Sequence, residues 1–213
     1  MISRAEREYI EEYAYVPEHL PQYVTAVSKT EPFLFADYIV HAKKDHFIFV
    51  GYPLREAFDE NQMERALEDA MKRLKSESVA LIAPAIPSYM DGHDHPPSDH
   101  YYRLDVSVLS ISQKLRNMLT RASRELSVER TRTFDREHRM LIENFLKTHR
   151  VDEGTQFIYK RIDKYLSSST TAWIFDARNN GGELVAFDIA ELKPRDYGIY
   201  MFNFTSDALY VPG

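Results

Sequence analysis

Apolar positions along the chain switch between helical spacing and strand-like runs, and those switches outline most of the architecture. Residues 3–14 carry an amphipathic helical pattern, which the two prolines of 17–22 break. Phe33–Val40 and Phe47–Tyr52 are rich in β-branched and aromatic residues, with Lys43, Lys44 and Asp45 between them. That predicts a hairpin with strands near 36–42 and 46–52. Asp59 is placed to cap a helix over 61–76, whose apolar residues Met63, Ala66, Leu67, Ala70, Met71 and Leu74 form one stripe for packing on a sheet. The continuous apolar run Val79–Ala85 suits a buried strand.

Residues 86–100 hold three prolines, a glycine and several Asp and Ser residues, which predicts a loop. Tyr101–Val106 reads as a strand. Ser112 opens a helix over 113–126 with Leu115, Met118, Leu119, Ala122 and Leu126 on one inward face. Val128–Thr131 reads as a short strand. Asp135 opens a helix over 136–149 with Met140, Leu141, Phe145 and Leu146 inward. A third helix follows over 155–166, with Phe157, Ile158, Ile162 and Leu166 inward. The remainder predicts an antiparallel sheet. Strands 171–177 and 183–192 flank Asn179-Asn180-Gly181-Gly182, where Asn and Gly accept positive φ at little cost, and 198–205 is the third strand. No short internal repeat occurs, but both halves show helices followed by a hairpin-rich sheet. The class is α+β, with mixed, mostly antiparallel sheets and flanking helices.

Composition narrows the chemistry. Over 213 residues, 44% are hydrophobic and 28% charged, a composition that folds. The absence of Cys excludes disulfides, thiolate metal sites and a cysteine nucleophile. A net charge of −6 argues against a protein that grips duplex DNA over its whole surface. No apolar run is long enough for a membrane span and the first residues lack an apolar signal core, so the expectation is a cytoplasmic protein. No G-x-S-x-G, G-x-G-x-x-G or P-loop pattern occurs, which removes the common serine-hydrolase, dinucleotide and NTP-hydrolysis readings.

The element order over 112–205 resembles the front half of a GNAT-type acyltransferase domain. The segment YRLDVSVLSISQKLRNMLTRASRELSVER at 102–130 is more specific. Lys114, Arg116, Asn117, Arg121 and Ala122 match a phrase Lys-x-Arg-Asn-x-x-x-Arg-Ala. In this the segment is similar to the phosphatidylglycerol lysyltransferase C-terminal family and to its relatives, the Fem-type aminoacyl transferases. WIFDARNNGGELVAFDIAEL at 173–192 is similar to a hairpin of that family. The resemblance implies a tandem of GNAT-like halves, with 1–105 diverged and 106–213 incomplete. None of the seven glycines forms the phosphate-binding loop expected after 198–205, and the chain stops at Gly213 where that loop and a final helix would begin. A missing C-terminal segment or a homodimer partner would then cover the apolar strand 198–205. The implied activity is acyl or aminoacyl transfer to an amine or hydroxyl. The donor would be acyl-CoA or aminoacyl-tRNA, a small or phosphate-bearing molecule. The alternative is a non-catalytic ligand- or partner-binding protein on the same scaffold.

Within that frame the candidate bases are Asp188 and Glu191, with cross-strand ion pairs as the structural alternative. Asp176 and Arg178 flank the turn. Asn203 and Tyr200 lie on the strand where acceptor and donor would meet, although Tyr200 is expected in the core. Lys114, Arg116, Arg121 and Arg124 lie away from the apolar stripe of their helix and are the candidate donor-binding cations, with a solvated face balanced by Glu125 and Glu129 as the alternative. Arg130 and Arg132 follow them. Asp91, His93, His95, Asp99 and His100 have metal-ligand chemistry, but no distant partner pattern accompanies them and a plain connector is favoured, so no metal is expected.

Overall fold

A computed structural model describes residues 1–90 and 100–206. Asp91, His93, His95 and Asp99, and the residues after Ser206, lie outside the described residues. In chain order the elements are α1 (Arg4–Tyr13), α2 (Pro21–Ser28), β1 (Glu31–Phe35), β2 (Tyr38–Lys43), β3 (His46–Val50), α3 (Glu60–Leu74), β4 (Ser78–Ile82), α4 (Gln113–Glu125), β5 (Leu126–Thr131), α5 (Arg136–Thr148), α6 (Glu153–Tyr159), α7 (Ile162–Ser168), β6 (Ala172–Asn179), β7 (Leu184–Glu191) and β8 (Ile199–Thr205). The strands form two four-stranded sheets, β1-β2-β3-β4 and β5-β6-β7-β8. This is the α+β architecture that the hydrophobic pattern predicts. The chain divides into two compact units.

The first unit comprises Met1–Pro96, Arg161–Thr171 and Leu192–Ile199. Ser3 caps α1 reciprocally: its hydroxyl accepts from the Glu6 N–H and its own N–H donates to the Glu6 carboxylate. The prolines of 17–22 do break that helix, but Pro21 also opens α2, since proline fits a first helical turn. β1, β2 and β3 run as an antiparallel meander, and α3 carries the chain to β4, parallel to β3. The aromatic stretch from Phe33 is two strands around an Ala36-Asp37 turn, not one, because Phe35 pairs with Tyr38. Asp59 accepts from the Gln62 N–H and starts α3. Met63, Ala66, Leu67 and Ala70 are buried with Val40, Phe47 and Phe49. Met71, expected in the stripe, is 40% exposed. A side chain at Gly51 would bring its Cβ to 2.5 Å from Ala83 and 2.8 Å from the Met63 sulfur, so the end of β3 needs glycine to pass α3. β4 corrects an expectation. It lies at the edge of the sheet and is only partly buried, so its apolar run reflects one packed side rather than two. α7 joins this unit through α2, where Tyr165 packs on Tyr23 and the Arg161 guanidinium donates to the Ala26 carbonyl at 3.3 Å.

The second unit comprises the described residues of Pro97–Lys160, Ala172–Glu191 and Tyr200–Gly213. The single helix expected over 155–166 is split into α6 and α7 at Lys160-Arg161, where the chain passes from one unit to the other. Phe157 and Met140, both expected inward, are exposed. The inward side of α5 is instead set by His138, Leu141 and Ile142. The strand expected at 101–106 does not form: residues 101–105 are irregular and a single helical turn follows at Val106–Val108. An alternating apolar stretch becomes a strand only when another strand takes its backbone groups, and among the described residues none pairs with it. α4 starts at Ser112 as predicted, yet none of its residues is buried. The helical period established that α4 has an apolar side, not that the described residues bury it.

Two histidines are sealed inside the first unit at 0% exposure. The His19 Nε2 lies 2.8 Å from the Tyr52 carbonyl, and the His41 Nε2 lies 3.0 Å from the Glu18 carbonyl. Burial lowers both to about 4 against the opposing pull of those carbonyls. The folded chain therefore keeps both neutral down to that pH, while in the unfolded chain each protonates near 6.5. Between those values the unfolded state binds about two more protons, so stability rises with pH there and is lost as pH falls from 6.5 towards 4. The expected slope of unfolding free energy between pH 5 and 6.5 averages about 1 kcal/mol per pH unit for each histidine, and His41→Gln removes one share. Urea titrations across that range measure it; a flat profile contradicts the neutral assignment.

Candidate functional site

The β6–β7 hairpin decides which side chains share a face. At its tip the Asn179 side-chain oxygen accepts from the N–H groups of Gly181 and Glu183, and its side-chain nitrogen donates to Glu183 at 2.8 Å. Gly182 takes φ +83°, the left-handed region that a side chain resists. Trp173 then stands opposite Ala190, Phe175 opposite Asp188 and Asp176 opposite Phe187. On the other side of β6, Arg130 stands opposite Phe175. Directly opposed residues share a face, so Arg130, Phe175 and Asp188 form a row across β5, β6 and β7. β8 completes it: the Asn203 side-chain N–H donates to Asp188 Oδ1 at 2.5 Å, and the Tyr200 hydroxyl donates to the same oxygen at 3.2 Å.

That distribution leaves Asp188 Oδ2 without a hydrogen bond among the described residues. Desolvation, then the Asp188 charge and the hydrogen bond to it, push the Tyr200 hydroxyl up to about 12, so Tyr200 stays protonated and acts as a donor. Two residues along β6 on the same face, Trp173 carries the Arg130 and Arg132 guanidinium groups at 4.1 and 4.2 Å from its ring centroid. Arg130 has no carboxylate within ion-pair distance among the described residues. The face thus offers an oriented carboxylate with one open oxygen, a phenol donor and a cation held on an indole. Such a set can take a proton from a nucleophile and hold an anionic group beside it.

The opposite face is packed. The buried His138 Nε2 lies 3.0 Å from Asp176 Oδ1, and its Nδ1 lies 2.7 Å from Asp135 Oδ1. Burial alone would raise the Asp135 carboxyl, but hydrogen bonds and charge from His138, with the backbone N–H groups of His138 and Glu137, outweigh it and hold it below the usual range. Arg178 donates to Glu137 at 2.8 Å and reaches Asp176 at 3.6 Å. Phe187 packs edge-on against His138 and stacks with Phe204. This network fastens α5 to β6; His138 and Asp176 are closed to solvent, while Asp135, Glu137 and Arg178 reach it.

The predicted site residues do not all converge. Asp188 is on the open face. Glu191, three residues on, lies opposite Ala172 on the packed side and is fully buried. Lys114, Arg116, Arg121 and Arg124 are all exposed on α4, with Arg121 paired to Glu125 at 3.2 Å and the Arg116 Nε donating to the Ile111 carbonyl. They form no cradle, because Lys114 and Arg121 leave the helix on a different side from Arg116. His100 is exposed. Among the described residues no group of three or more His, Asp or Glu gathers as a metal site. Tyr200 is 61% exposed and corrects the expectation of a core tyrosine, since its place is over Asp188. Sequence reasoning also missed His138 as the partner of Asp176; the paired cap residue Asp135 was its only local signal.

It missed as well a cleft of about 830 Å³ lying wholly in the first unit and lined by Tyr9, Asp37, Tyr38, Arg55, Gln62 and Arg65. There Asp37 accepts from the Tyr9 hydroxyl at 2.5 Å and from the N–H groups of Arg55 and Glu56 at 2.7 and 3.1 Å. The buried Tyr38 hydroxyl makes no hydrogen bond among the described residues. These residues come from four separate stretches of chain, so no motif marks them.

The sequence matches no protein-family model and no curated protein. Solved structures do match the fold. L-PGS from Bacillus licheniformis, a lysyl-phosphatidylglycerol synthase, is 15% identical with a TM-score of 0.57, covering 96% of this chain and 69% of that one. A conserved protein of unknown function from Bacteroides thetaiotaomicron is 16% identical with a TM-score of 0.55, covering 98% of this chain and 80% of that one. The likeness shows that this chain shares the fold of L-PGS over most of its length.

Because Asp176 and His138 are buried against each other, removing either leaves a polar partner stranded. Asp176→Ala and His138→Gln are each expected to cost about 3 kcal/mol, and the double variant to cost at least 1 kcal/mol less than their sum. Urea unfolding of the three variants measures this; strict additivity would mean that the pair does not anchor the sheet.

Proposed function

We propose that this chain catalyses acyl or aminoacyl transfer to an amine or hydroxyl acceptor, using Asp188 as the base. The observation that carries the reading is the placement of both Asp188 donors on Oδ1, with Oδ2 open on the exposed face of a sheet. The likeness to a lysyl-phosphatidylglycerol synthase over 96% of the chain supports the reaction class. On this reading the polypeptide is a tandem of acyltransferase-like halves, 1–105 and 106–213, with the chemistry on the second.

The acceptor nitrogen or oxygen attacks the donor carbonyl while Asp188 Oδ2 takes its proton. A C–N or C–O bond forms, the carbonyl–sulfur bond of an acyl-CoA or the carbonyl–oxygen bond of an aminoacyl-tRNA breaks, and the proton passes to the leaving sulfur or oxygen. Tyr200 and Asn203 hold the carboxylate in one orientation, and such positioning is most of what a transfer of this type asks of a protein. Arg130, fixed over Trp173, is the group on this face suited to an anionic part of the donor. Glu191, buried on the packed side, has no part in the step.

The test incubates the purified chain with radiolabelled lysyl-tRNA and phosphatidylglycerol vesicles, and separately with acetyl-CoA and polyamines, scoring label transfer. Asp188→Asn is expected to lower kcat about 10²–10⁴-fold with folding intact, as loss of a general base does. Tyr200→Phe and Asn203→Ala should each produce a smaller loss, because each leaves one donor on Oδ1. Transfer that is indifferent to Asp188→Asn, or no transfer from either donor, would favour a binding protein on the same scaffold.

A further inference from the structure

The described residues carry nineteen exposed large apolar side chains, and ten of them fall within the 32 residues 101–132. Val106 and Val108 are 75% and 76% exposed, and Leu119 on α4 is 52% exposed. The same stretch has seven Lys and Arg against three Asp and Glu, a local charge of +4 within a chain whose net charge is −6. Apolar exposure and positive charge therefore coincide in one segment of an otherwise acidic protein.

Helix geometry arranges the two. At 3.6 residues per turn, Leu115, Met118 and Leu119 form one stripe of α4, with Lys114 and Arg121 about 100–120° to one side of Leu115, where Glu125 pairs with Arg121, and Arg116 about 100° to the other. An apolar stripe flanked on both sides by cations is the form of helix that lies in a lipid interface, its aliphatic residues among the acyl chains and its cations among the headgroups. We infer that α4, with the apolar residues preceding it, is a docking surface for an anionic lipid membrane.

A second copy of the chain fits this surface less well. A dimer through two such stripes would set a segment of local charge +4 against its own copy, and like charge across an interface is costly. A sheet of anionic headgroups answers those cations and lets the leucines leave water at the same time. No helix among the described residues is long and apolar enough to cross a membrane, so the mode is lying on the surface. The inference does not rest on the transfer reaction, since the surface would bind lipid whether or not Asp188 acts as a base.

The experiment is co-sedimentation of the full chain with vesicles of phosphatidylcholine alone or with about 30 mol% phosphatidylserine, whose surface potential supplies the attraction. Binding is expected to be about tenfold or more tighter to the anionic vesicles and to weaken as salt is raised. Leu115→Ser with Leu119→Ser should reduce it to the level of neutral vesicles. Both side chains are exposed, so circular dichroism and the urea midpoint should not change. Equal partition to the two vesicle types overturns the inference, as does undiminished sedimentation of the double variant. So does a dimer seen by light scattering that the double variant abolishes and that ignores vesicles, for it would make this face a contact between copies.

Discussion

The candidate site depends on the two-residue period of β6 and β7 and on the turn that joins them. Successive side chains of a strand point to opposite faces, so a slip of one residue exchanges the faces completely. In the observed register Asp176 points to α5 and meets His138, while Asp188 points the other way and meets Tyr200 and Asn203. Shifted by one, either strand would strand one carboxylate without its partners and expose apolar residues in exchange. The Asn179–Gly182 turn and the buried His138–Asp176 pair therefore enforce the same register, one from the tip of the hairpin and the other from the middle of β6. One supplies local backbone geometry and the other a long-range polar contact whose loss would be expensive.

The two units solve the problem of buried imidazole differently. In the first, His19 and His41 face carbonyl oxygens and are kept neutral by burial. A neutral ring satisfies one donor there and needs no counter-charge. In the second, His138 lies between two carboxylates, Asp135 and Asp176, and works as a tie between the start of a helix and the middle of a strand. The buried Asp176 carboxyl is met there by the His138 ring, which is the condition under which burying it is tolerable.

Elements with strong internal signals were legible in the sequence. The caps Ser112, Asp59 and Asp135, the Asn-Gly turn and the apolar stripe of α3 all act within a few residues of themselves, and each appears where those local rules put it. What failed needed knowledge of the partner. Tyr101–Val106 alternates like a strand, but no strand among the described residues pairs with it. Val79–Ala85 is apolar like a buried strand but lies at an edge. Leu115, Met118 and Leu119 are spaced like a core face but stay exposed. The site divides in the same way. Asp188 was visible as a carboxylate on a returning strand, whereas its separation from Glu191 follows from the register, and the exposed position of Tyr200 follows from what β8 lies beside. The cleft around Asp37 was invisible because residues far apart in the chain build it.

The exposed α4 and the open face of the second sheet raise one physical question, namely why a chain of this composition leaves so much apolar surface uncovered. A 213-residue protein has enough apolar material to form a closed core, and the first unit does so. The second unit spends its buried positions on one side of one sheet, where Ile174, Phe187, Ile189 and Phe204 are sealed. Its other apolar residues are accompanied by cations: Arg130 and Arg132 over Trp173 on the open face, and Lys114, Arg116 and Arg121 beside the stripe of α4. Cations beside exposed apolar groups weaken self-association, because copies of the same surface repel. They also select for counterparts that are both apolar and anionic. An acyl or aminoacyl donor with phosphates and a lipid surface with phosphate headgroups share that character, so one distribution of charge suits the second unit both to hold such a donor and to rest on such a surface.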